Sequence, residues 1–243
     1  MNKLSVAIIT YNEEAVIADA VKSAAFADEV VVLDSGSKDR TCAVAQELGA
    51  KVFSQEWLGF GRQKQRAVEL CSNDWVFVLD SDERIMPELA EEIQVLLKSA
   101  PDRPGYQVAR LNWFFGKPIR YCGLYPDYTV RLFNRTSGRF TEDAVHEKVV
   151  LDGEPGTLKN HMEHLAYDSI EQFVDKQNRY SSLNVKPSGL LTATLRSMWT
   201  FVRLFVFKKG ILGGSHGFLI AVLYSQYTFW KYVKGREMET SLK

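Results

Sequence analysis

Polar segments that contain carboxylates follow apolar runs at three places in the chain. WVFVLDSDER ends one run with Asp80 and carries Asp82 two residues later, and VVVLDSGSKDRT ends another with Asp34. In IITYNEE, the polar residues Thr10 to Glu14 follow a third apolar run. We call these three polar segments, at which the chain leaves an apolar run, the polar exits. Carboxylate oxygens are the ligands that Mg²⁺ and Mn²⁺ prefer, so this set could hold such an ion against a diphosphate. Each acidic loop taken alone could equally cap the helix that follows it.

The elements that must position these residues alternate in the first hundred residues. Nearly continuous apolar runs predict buried strands of a parallel sheet, and the helical patterns between them predict right-handed crossovers that cover both faces. The predicted strands are 4–9, 29–33, 51–54 and 75–79, and the predicted helices are about 13–26, 39–49, 60–72 and 87–99. In such an α/β fold, ligands bind beyond the carboxyl ends of the strands, where the three polar exits lie.

Two cations are further candidates for contact with an anionic ligand. GFGRQKQRAVE begins a predicted helix with glycines and includes Lys64. A helix N-terminus with a nearby cation can bind phosphate, although a solvated basic helix face is the alternative. Arg131, in YTVRLF, could pair with a phosphate or orient an acceptor, and its alternative is a charge on a strand face.

The three polar exits carry a family resemblance. SVAIITYNEE, DSGSKDRT and DSDE, in this order and spacing, resemble the signatures of the family 2 glycosyltransferases, which have the GT-A fold and invert the anomeric centre of a nucleotide sugar. The resemblance covers about residues 3–165. It implies a UDP-sugar donor and a divalent cofactor, Mg²⁺ or Mn²⁺, that bridges the two phosphates.

The same resemblance assigns roles to individual residues. Asp34 would accept hydrogen bonds from a uracil ring, Asp80 would lie near the ribose, and Asp82 would bind the metal. The exit of the first strand, with Thr10, Tyr11 and Glu13, would border the nucleotide.

The catalytic base is expected downstream of the metal motif. Inverting transfer needs one group to accept the proton of the acceptor hydroxyl, and in the family this group is a carboxylate. RLFNRTSGRFTEDAVHEKV resembles a bacterial subgroup in which R-L-F precedes V-H-E. We predict Glu147 as the base and Asp143 as the second candidate; a surface ion pair is the alternative for Glu147. GT-A enzymes often add a histidine to the metal site, and His164 fits that position better than His161.

Composition narrows the class of protein. The chain has 243 residues, 30 Lys and Arg, 30 Asp and Glu, and 46% hydrophobic residues, which suits a folded protein and not a nucleic-acid-binding one. Three scattered cysteines and an N-terminus without a signal-peptide pattern lead us to expect a reducing, cytosolic location. The zero net charge is uneven: residues 190–243 hold 8 cations and 2 acids, or +6, so residues 1–189 carry −6.

The C-terminal segment is basic and aromatic. LRSMWTFVRLFVFKK places Arg196 and Arg203 on one helical stripe, and residues 210–230 contain no charge. This pattern favours helices that lie in the interface of an anionic membrane. Helices buried in the protein or in an oligomer, and a single membrane span, are the alternatives. We expect a catalytic domain at 1–165 with halves divided near 100, a connecting helix at 166–189 and a membrane-associating tail at 190–243.

The whole arrangement is similar to the bacterial lipopolysaccharide inner-core β-1,4-glucosyltransferases, including a G-x-H-G-F motif before an aromatic helix. That resemblance implies UDP-glucose as donor, a core heptose as the lipid-linked acceptor, and a peripheral position on the cytoplasmic face of the inner membrane. Two alternatives stay open: a polyprenyl-phosphate glycosyltransferase, and a non-catalytic nucleotide-binding or scaffold protein that kept the fold.

Overall fold

A parallel half-sheet forms from the first four long strands of the protein. The computed structural model describes residues 2–141, 147–186 and 188–241, with side chains as far as Gly235. The strands are β1 (Leu4–Thr10), β2 (Glu29–Asp34), β3 (Lys51–Ser54) and β4 (Trp75–Asp80), in the order β3-β2-β1-β4. The helices between them are α1 (Ile17–Ser23), α2 (Thr41–Glu47) and α3 (Phe60–Glu69). The predicted α/β class is confirmed.

Beyond β4 the sheet becomes antiparallel, and its path continues β4-β8-β6-β11-β5. The elements are β5 (Glu83–Ile85), α4 (Pro87–Lys98), β6 (Gly105–Phe114), β7 (Lys117–Pro118), β8 (Asp127–Asn134), β9 (Gly138–Phe140), β10 (Val149–Leu151) and β11 (Gly156–Tyr167). β7 pairs with β6, and β9 and β10 form a separate two-stranded sheet.

The core lies on both faces of β1, whose seven residues are all buried. Successive side chains of a strand point to opposite faces. Val6 and Ile8 accordingly pack in one cluster with Ile17 of α1 and Ile93 of α4. Ala7 and Ile9 pack in another cluster that includes Ala67 and Val68 of α3. This double coverage explains why the strand is apolar throughout and does not alternate.

The chain divides into two compact units. One comprises Met1–Arg110 and Asp127–His164, and the other comprises Leu111–Pro126 and Leu165–Lys243. Hydropathy along the chain gave no sign that Leu111–Pro126 would group with the C-terminal residues. The predicted divisions at about 165 and 189 stay predictions.

The C-terminal unit is mainly helical. It contains α5 (Ile170–Leu183), α6 (Leu190–Val202), a π-helical turn (Arg203–Phe207), a 3₁₀ turn (Gly210–Gly213) and α7 (Gly214–Ser241). Its core includes Phe114, Ile119, Phe173 and Ile220. Within the described residues one helical stretch, Leu190–Phe207, has the length and composition to cross a membrane, with mean hydropathy 1.3, and 11% of it is buried.

Candidate active site

The loops after β1 and β2 hold each other by reciprocal hydrogen bonds. The Asn12 amide donates to Ser37 Oγ at 2.8 Å, and the Lys38 amide donates to Asn12 Oδ1 at 2.9 Å. The Glu13 amide donates to Thr41 Oγ1 at 2.8 Å. Asn12 has a φ of 54°, in the left-handed region that asparagine tolerates better than most residues. These bonds fix the exit of β1 through backbone groups.

Thr10 and Tyr11 present two different groups at the end of β1. Thr10 is buried, and its hydroxyl has no hydrogen-bond partner among the described residues. Leaving such a group unsatisfied costs free energy, which a polar ligand at this edge would recover. Tyr11 is 54% exposed, so its ring is accessible to a ligand. Both positions suit the nucleotide contacts predicted for this strand end.

Asp34 is buried and anchors its own loop. Its Oδ2 accepts from the amides of Gly36 at 2.8 Å and Ser37 at 2.9 Å, and its Oδ1 accepts from the Ser37 hydroxyl. Three of about four acceptor sites on the carboxylate are thereby used. The Cys42 thiol interacts with the same carboxylate. The turn and this thiol together account for an aspartate at this position.

Asp80 lies in a cluster of buried charges at the end of β4. Lys64 Nζ lies 3.0 Å from Asp80 Oδ1, and Arg131 Nη2 lies 2.9 Å from Asp80 Oδ2. Arg131 also contacts Glu83 Oε1 at 2.5 Å, and Glu83 Oε2 accepts from the Asp80 amide at 3.0 Å. Because two cations contact the Asp80 carboxylate, it is poorly placed to act as a metal ligand, and its predicted position near the ribose stays a prediction.

The charges of this cluster shift one another's protonation. Burial alone would raise the pKa of Asp80, but Lys64 and Arg131 outweigh it and hold that pKa well below its usual range. Burial would lower the pKa of Arg131, but the carboxylates of Glu83 and Asp80 raise it above its usual value. Asp80 therefore stays ionised and Arg131 stays charged throughout the physiological range.

The two predicted metal ligands meet in the structure. His164 Nε2 lies 3.3 Å from Asp82 Oδ2, because β11 pairs with β5 so that His164 stands opposite Glu83. A carboxylate oxygen and an imidazole nitrogen together suit Mn²⁺, and the carboxylate suits Mg²⁺. Among the described residues no group of three or more His, Cys, Asp or Glu side chains is placed to hold a metal. A metal bound by this pair would need further oxygens, which a diphosphate can supply.

The pKa of Glu83 is shifted in the opposite direction from that of Asp80. Burial raises the pKa of Glu83 above its usual value; Arg131 opposes this shift, and the negative charge of Asp80 adds to it.

Glu147 lies at the same site, through contacts with α3. Its Oε1 accepts from Lys64 Nζ at 2.9 Å, and its side chain is 17% exposed. A Cβ added to Gly61 would lie 2.1 Å from Thr141 O and 3.3 Å from Glu147 Cβ, so only glycine permits this approach. The second candidate base, Asp143, lies outside the described residues.

The charge cluster also includes Glu83 and Arg110, to which the sequence analysis assigned no role. Glu83 is fully buried and joins Arg131 to the Asp80 backbone, and Arg110 approaches it at 3.7 Å while binding Asp127 Oδ2 at 2.5 Å. The DSDE motif offered a signal for Glu83, as a third acidic residue directly after the D-x-D. Arg110 offered none, because its partners lie on distant strands.

Comparison with known proteins places these features in a family. The model of glycosyl transferase family 2 matches residues 5–134. An uncharacterized glycosyltransferase of Rickettsia typhi is 34% identical over 265 residues, covering 98% of this chain and 88% of the relative. The lipopolysaccharide core biosynthesis glycosyltransferase LpsC of Rhizobium meliloti is 32% identical over 244 residues, covering 93% and 89%.

One solved structure is similar to part of the chain. It is glucosyl-3-phosphoglycerate synthase of Mycobacterium tuberculosis with Mn²⁺, UDP and glucosyl-3-phosphoglycerate, at a TM-score of 0.38 and 29% identity over 46% of this chain and 44% of that one. This likeness is too limited to bear on the ligands of the present chain. The family match and the nearly full-length relatives do settle its membership: the chain belongs to glycosyl transferase family 2 and is a glycosyltransferase.

Proposed function

We propose that this glycosyltransferase moves glucose from UDP-glucose, with inversion and with a bound Mg²⁺ or Mn²⁺, onto an inner-core heptose of lipopolysaccharide. The contact between Asp82 and His164 carries the metal dependence, because it brings together a carboxylate from the turn between β4 and β5 and an imidazole from β11. The likeness to LpsC over 93% of the chain supports a lipopolysaccharide core acceptor.

The residues of the site divide the reaction between donor and acceptor. Asp82 and His164 would hold the metal, which supplies positive charge to the diphosphate as it leaves. Glu147 takes the proton of the acceptor hydroxyl while that oxygen bonds to the anomeric carbon and the bond from this carbon to the diphosphate oxygen breaks. Lys64 holds one carboxylate oxygen of Glu147, which leaves Oε2 to accept the proton. Thr10, Tyr11, Glu13 and Asp34 would bind the nucleoside.

Variants of the metal ligand and the base test this mechanism. We expect Asp82→Ala and Glu147→Gln each to reduce transfer at least a hundredfold, and Glu147→Gln to keep binding of UDP-glucose and metal. The exposed residues Asp152 and Glu154 provide the matched controls Asp152→Ala and Glu154→Gln, which should leave transfer unchanged.

The assay should screen radiolabelled UDP-sugars against extracted glycolipids, with and without Mn²⁺ or Mg²⁺. Full transfer by Glu147→Gln would contradict the assignment of the base and would favour a phosphate acceptor, which needs no general base. Transfer that survives removal of divalent ions by EDTA would contradict the metal.

We also propose a peripheral position on the cytoplasmic face of the inner membrane. An exposed apolar stripe of α6 supports it, since Leu191 is 73%, Leu195 57% and Trp199 57% exposed. Replacing these three residues by Gln should reduce binding to vesicles. The same change at Ile170, Val174 and Leu183 of α5, which are also exposed, should not. Equal loss in both variants would contradict a specific role for α6.

A further inference from the structure

The C-terminal unit contains a cleft that the transfer reaction does not use. Its volume is about 400 Å³, and its walls come from Cys122–Leu124, from the end of α6 with the π-helical turn, and from α7. Arg203 and Lys208 both line it, and both are exposed. Neither forms an ion pair with any residue that the structure describes.

The surrounding sequence explains why these cations lack carboxylate partners. Residues 176–236 contain ten Lys and Arg and no Asp or Glu. A concave site lined by charge of one sign concentrates ions of the opposite sign. The cleft is therefore chemically suited to an anion that comes from outside the chain.

The backbone brings Arg203 and Lys208 to the two ends of one short segment. They flank one π-helical turn, in which the Lys208 amide donates to Arg203 O at 2.8 Å. The stem of Lys208 lies against Gly123, where an added Cβ would be 3.0 Å from Lys208 Cδ. Tyr227 adds a hydroxyl to the wall, and burial raises the pKa of that phenol, so it remains a hydrogen-bond donor. A cation at each end of the turn and a phenol are a donor set for phosphate oxygens.

The position of Arg203 on α6 indicates the source of the phosphate. At about 100° per residue, Leu191, Leu195, Met198, Trp199 and Val202 form one exposed apolar stripe, and Arg196 and Arg203 lie along its edge. On the opposite side, Ala193 and Leu204 are buried. A lipid whose acyl chains contact the stripe would bring its headgroup to the level of Arg203.

We propose that this cleft binds the phosphate of an anionic phospholipid headgroup, held by Arg203, Lys208 and Tyr227. The proposal rests on the membrane association inferred above. The membrane association would then include a defined lipid site. A diffuse electrostatic attraction between basic residues and lipid would not require such a site. A free phosphate lacks the apolar contact with α6 and should bind more weakly.

Two double variants of the full-length chain with equal loss of charge test the site. Arg203→Gln with Lys208→Gln removes the cations of the cleft, and Lys186→Gln with Lys209→Gln removes two cations of the same basic segment that do not line it. Binding to dihexanoyl phosphatidylglycerol, below its micelle concentration, should fall at least tenfold in the cleft variant and less than threefold in the control. Inorganic phosphate should bind the unmodified chain at least tenfold more weakly than the lipid.

Equal losses in the two variants would overturn the proposal and leave only diffuse electrostatic attraction. Inorganic phosphate binding as tightly as the lipid would overturn a lipid source. UDP binding and thermal unfolding of the same variants show whether each has folded. Because lipid binding is measured without transfer, failure of the proposed glycosyl acceptor would leave this result unaffected.

Discussion

Arg131 is the residue on which the charge cluster of the active site depends most. It is buried and bridges Asp80 to Glu83, which is fully buried. Removing one partner of a buried ion pair leaves an uncompensated charge. We expect Arg131→Gln to lower the free energy of unfolding by about 3 kcal/mol, the lower end of the range for such changes, because Arg110 remains near Glu83.

An exposed arginine provides the control for Arg131. Arg66 pairs with Glu69 on the surface of α3, where the two side chains are 44% and 50% exposed. Arg66→Gln should cost less than about 0.5 kcal/mol, because water screens such pairs. Urea unfolding measures the loss of unfolding free energy in both variants. Similar losses in Arg131→Gln and Arg66→Gln would show that the charges of the cluster are hydrated.

The sequence predicted that Asp34, Asp80 and Asp82 lie at one edge of a parallel sheet, because each stands at or just after the end of an apolar run. The structure ends β2 at Asp34 and β4 at Asp80, on either side of β1. The sequence also suggested His164, which the structure places 3.3 Å from Asp82. It could not assign a role to Glu83. An acidic residue after a D-x-D resembles a helix cap, and its burial results from strand pairing with β11, about eighty residues later.

At the scale of the element, Gly217 of α7 has a packing role. Gly217 lies in the helix, and a Cβ added there would be 1.9 Å from Gly210 O. We expect Gly217→Ala to cost about 2–3 kcal/mol of unfolding free energy, since backbone must move to admit the methyl group.

Gly189 in the same unit has nothing within 4 Å of an added Cβ, so Gly189→Ala should cost less than about 1 kcal/mol. Thermal unfolding compares the two variants. An unchanged midpoint for Gly217→Ala would contradict this close approach of helix and turn.

His216, beside Gly217, should make the stability of the C-terminal unit depend on pH. Its Nε2 donates to Phe114 O at 2.9 Å, and its Nδ1 lies 2.6 Å from the Tyr121 hydroxyl. Burial lowers the pKa of this imidazole. The unfolded chain, with a histidine pKa of about 6.5, therefore binds the proton more readily, and stability is lost as the pH falls below about 6.5.

A comparison of unfolding free energies at pH 7.5 and 5.5 checks this sign. Acidification should lower the unfolding free energy less in His216→Gln than in the unmodified chain. The difference should correspond to the uptake of less than one proton on unfolding. An equal loss in both would exclude His216 as the cause.

The regular elements were predictable because hydrophobic periodicity determines them locally. β1 to β4 begin at the predicted residues, and α3 and α4 begin at 60 and 87, as predicted. In the sequence, the glycines between 210 and 217 interrupt the uncharged run of residues 210–230. In the structure Gly214 and Gly217 both belong to α7. Gly214 begins the helix with a φ of 56°, and Gly217 allows the close approach of Gly210, a contact that leaves no periodic signal in the sequence.

At the scale of the whole molecule, the zero net charge conceals two regions of opposite sign. Residues 1–189 carry −6 and residues 190–243 carry +6. The acidic excess includes the carboxylates of the active site, and the basic excess lies beside the exposed apolar stripe of α6. Copies of such a chain should attract one another at low ionic strength, because the basic region of one copy faces the acidic region of another and no net repulsion opposes the contact.

Salt should weaken this attraction, since the Debye length falls from about 30 Å at 0.01 M to about 8 Å at 0.15 M. Static light scattering at pH 7 should show a second virial coefficient that rises from negative values as NaCl increases from 10 to 150 mM. If the apolar stripe of α6 dominated self-association instead, attraction would persist or strengthen with salt, because salt does not screen apolar contacts. Replacing Leu191, Leu195 and Trp199 by Gln separates the two causes. The salt-dependent part of the attraction should survive in that variant. Its disappearance would contradict an origin in segregated charge.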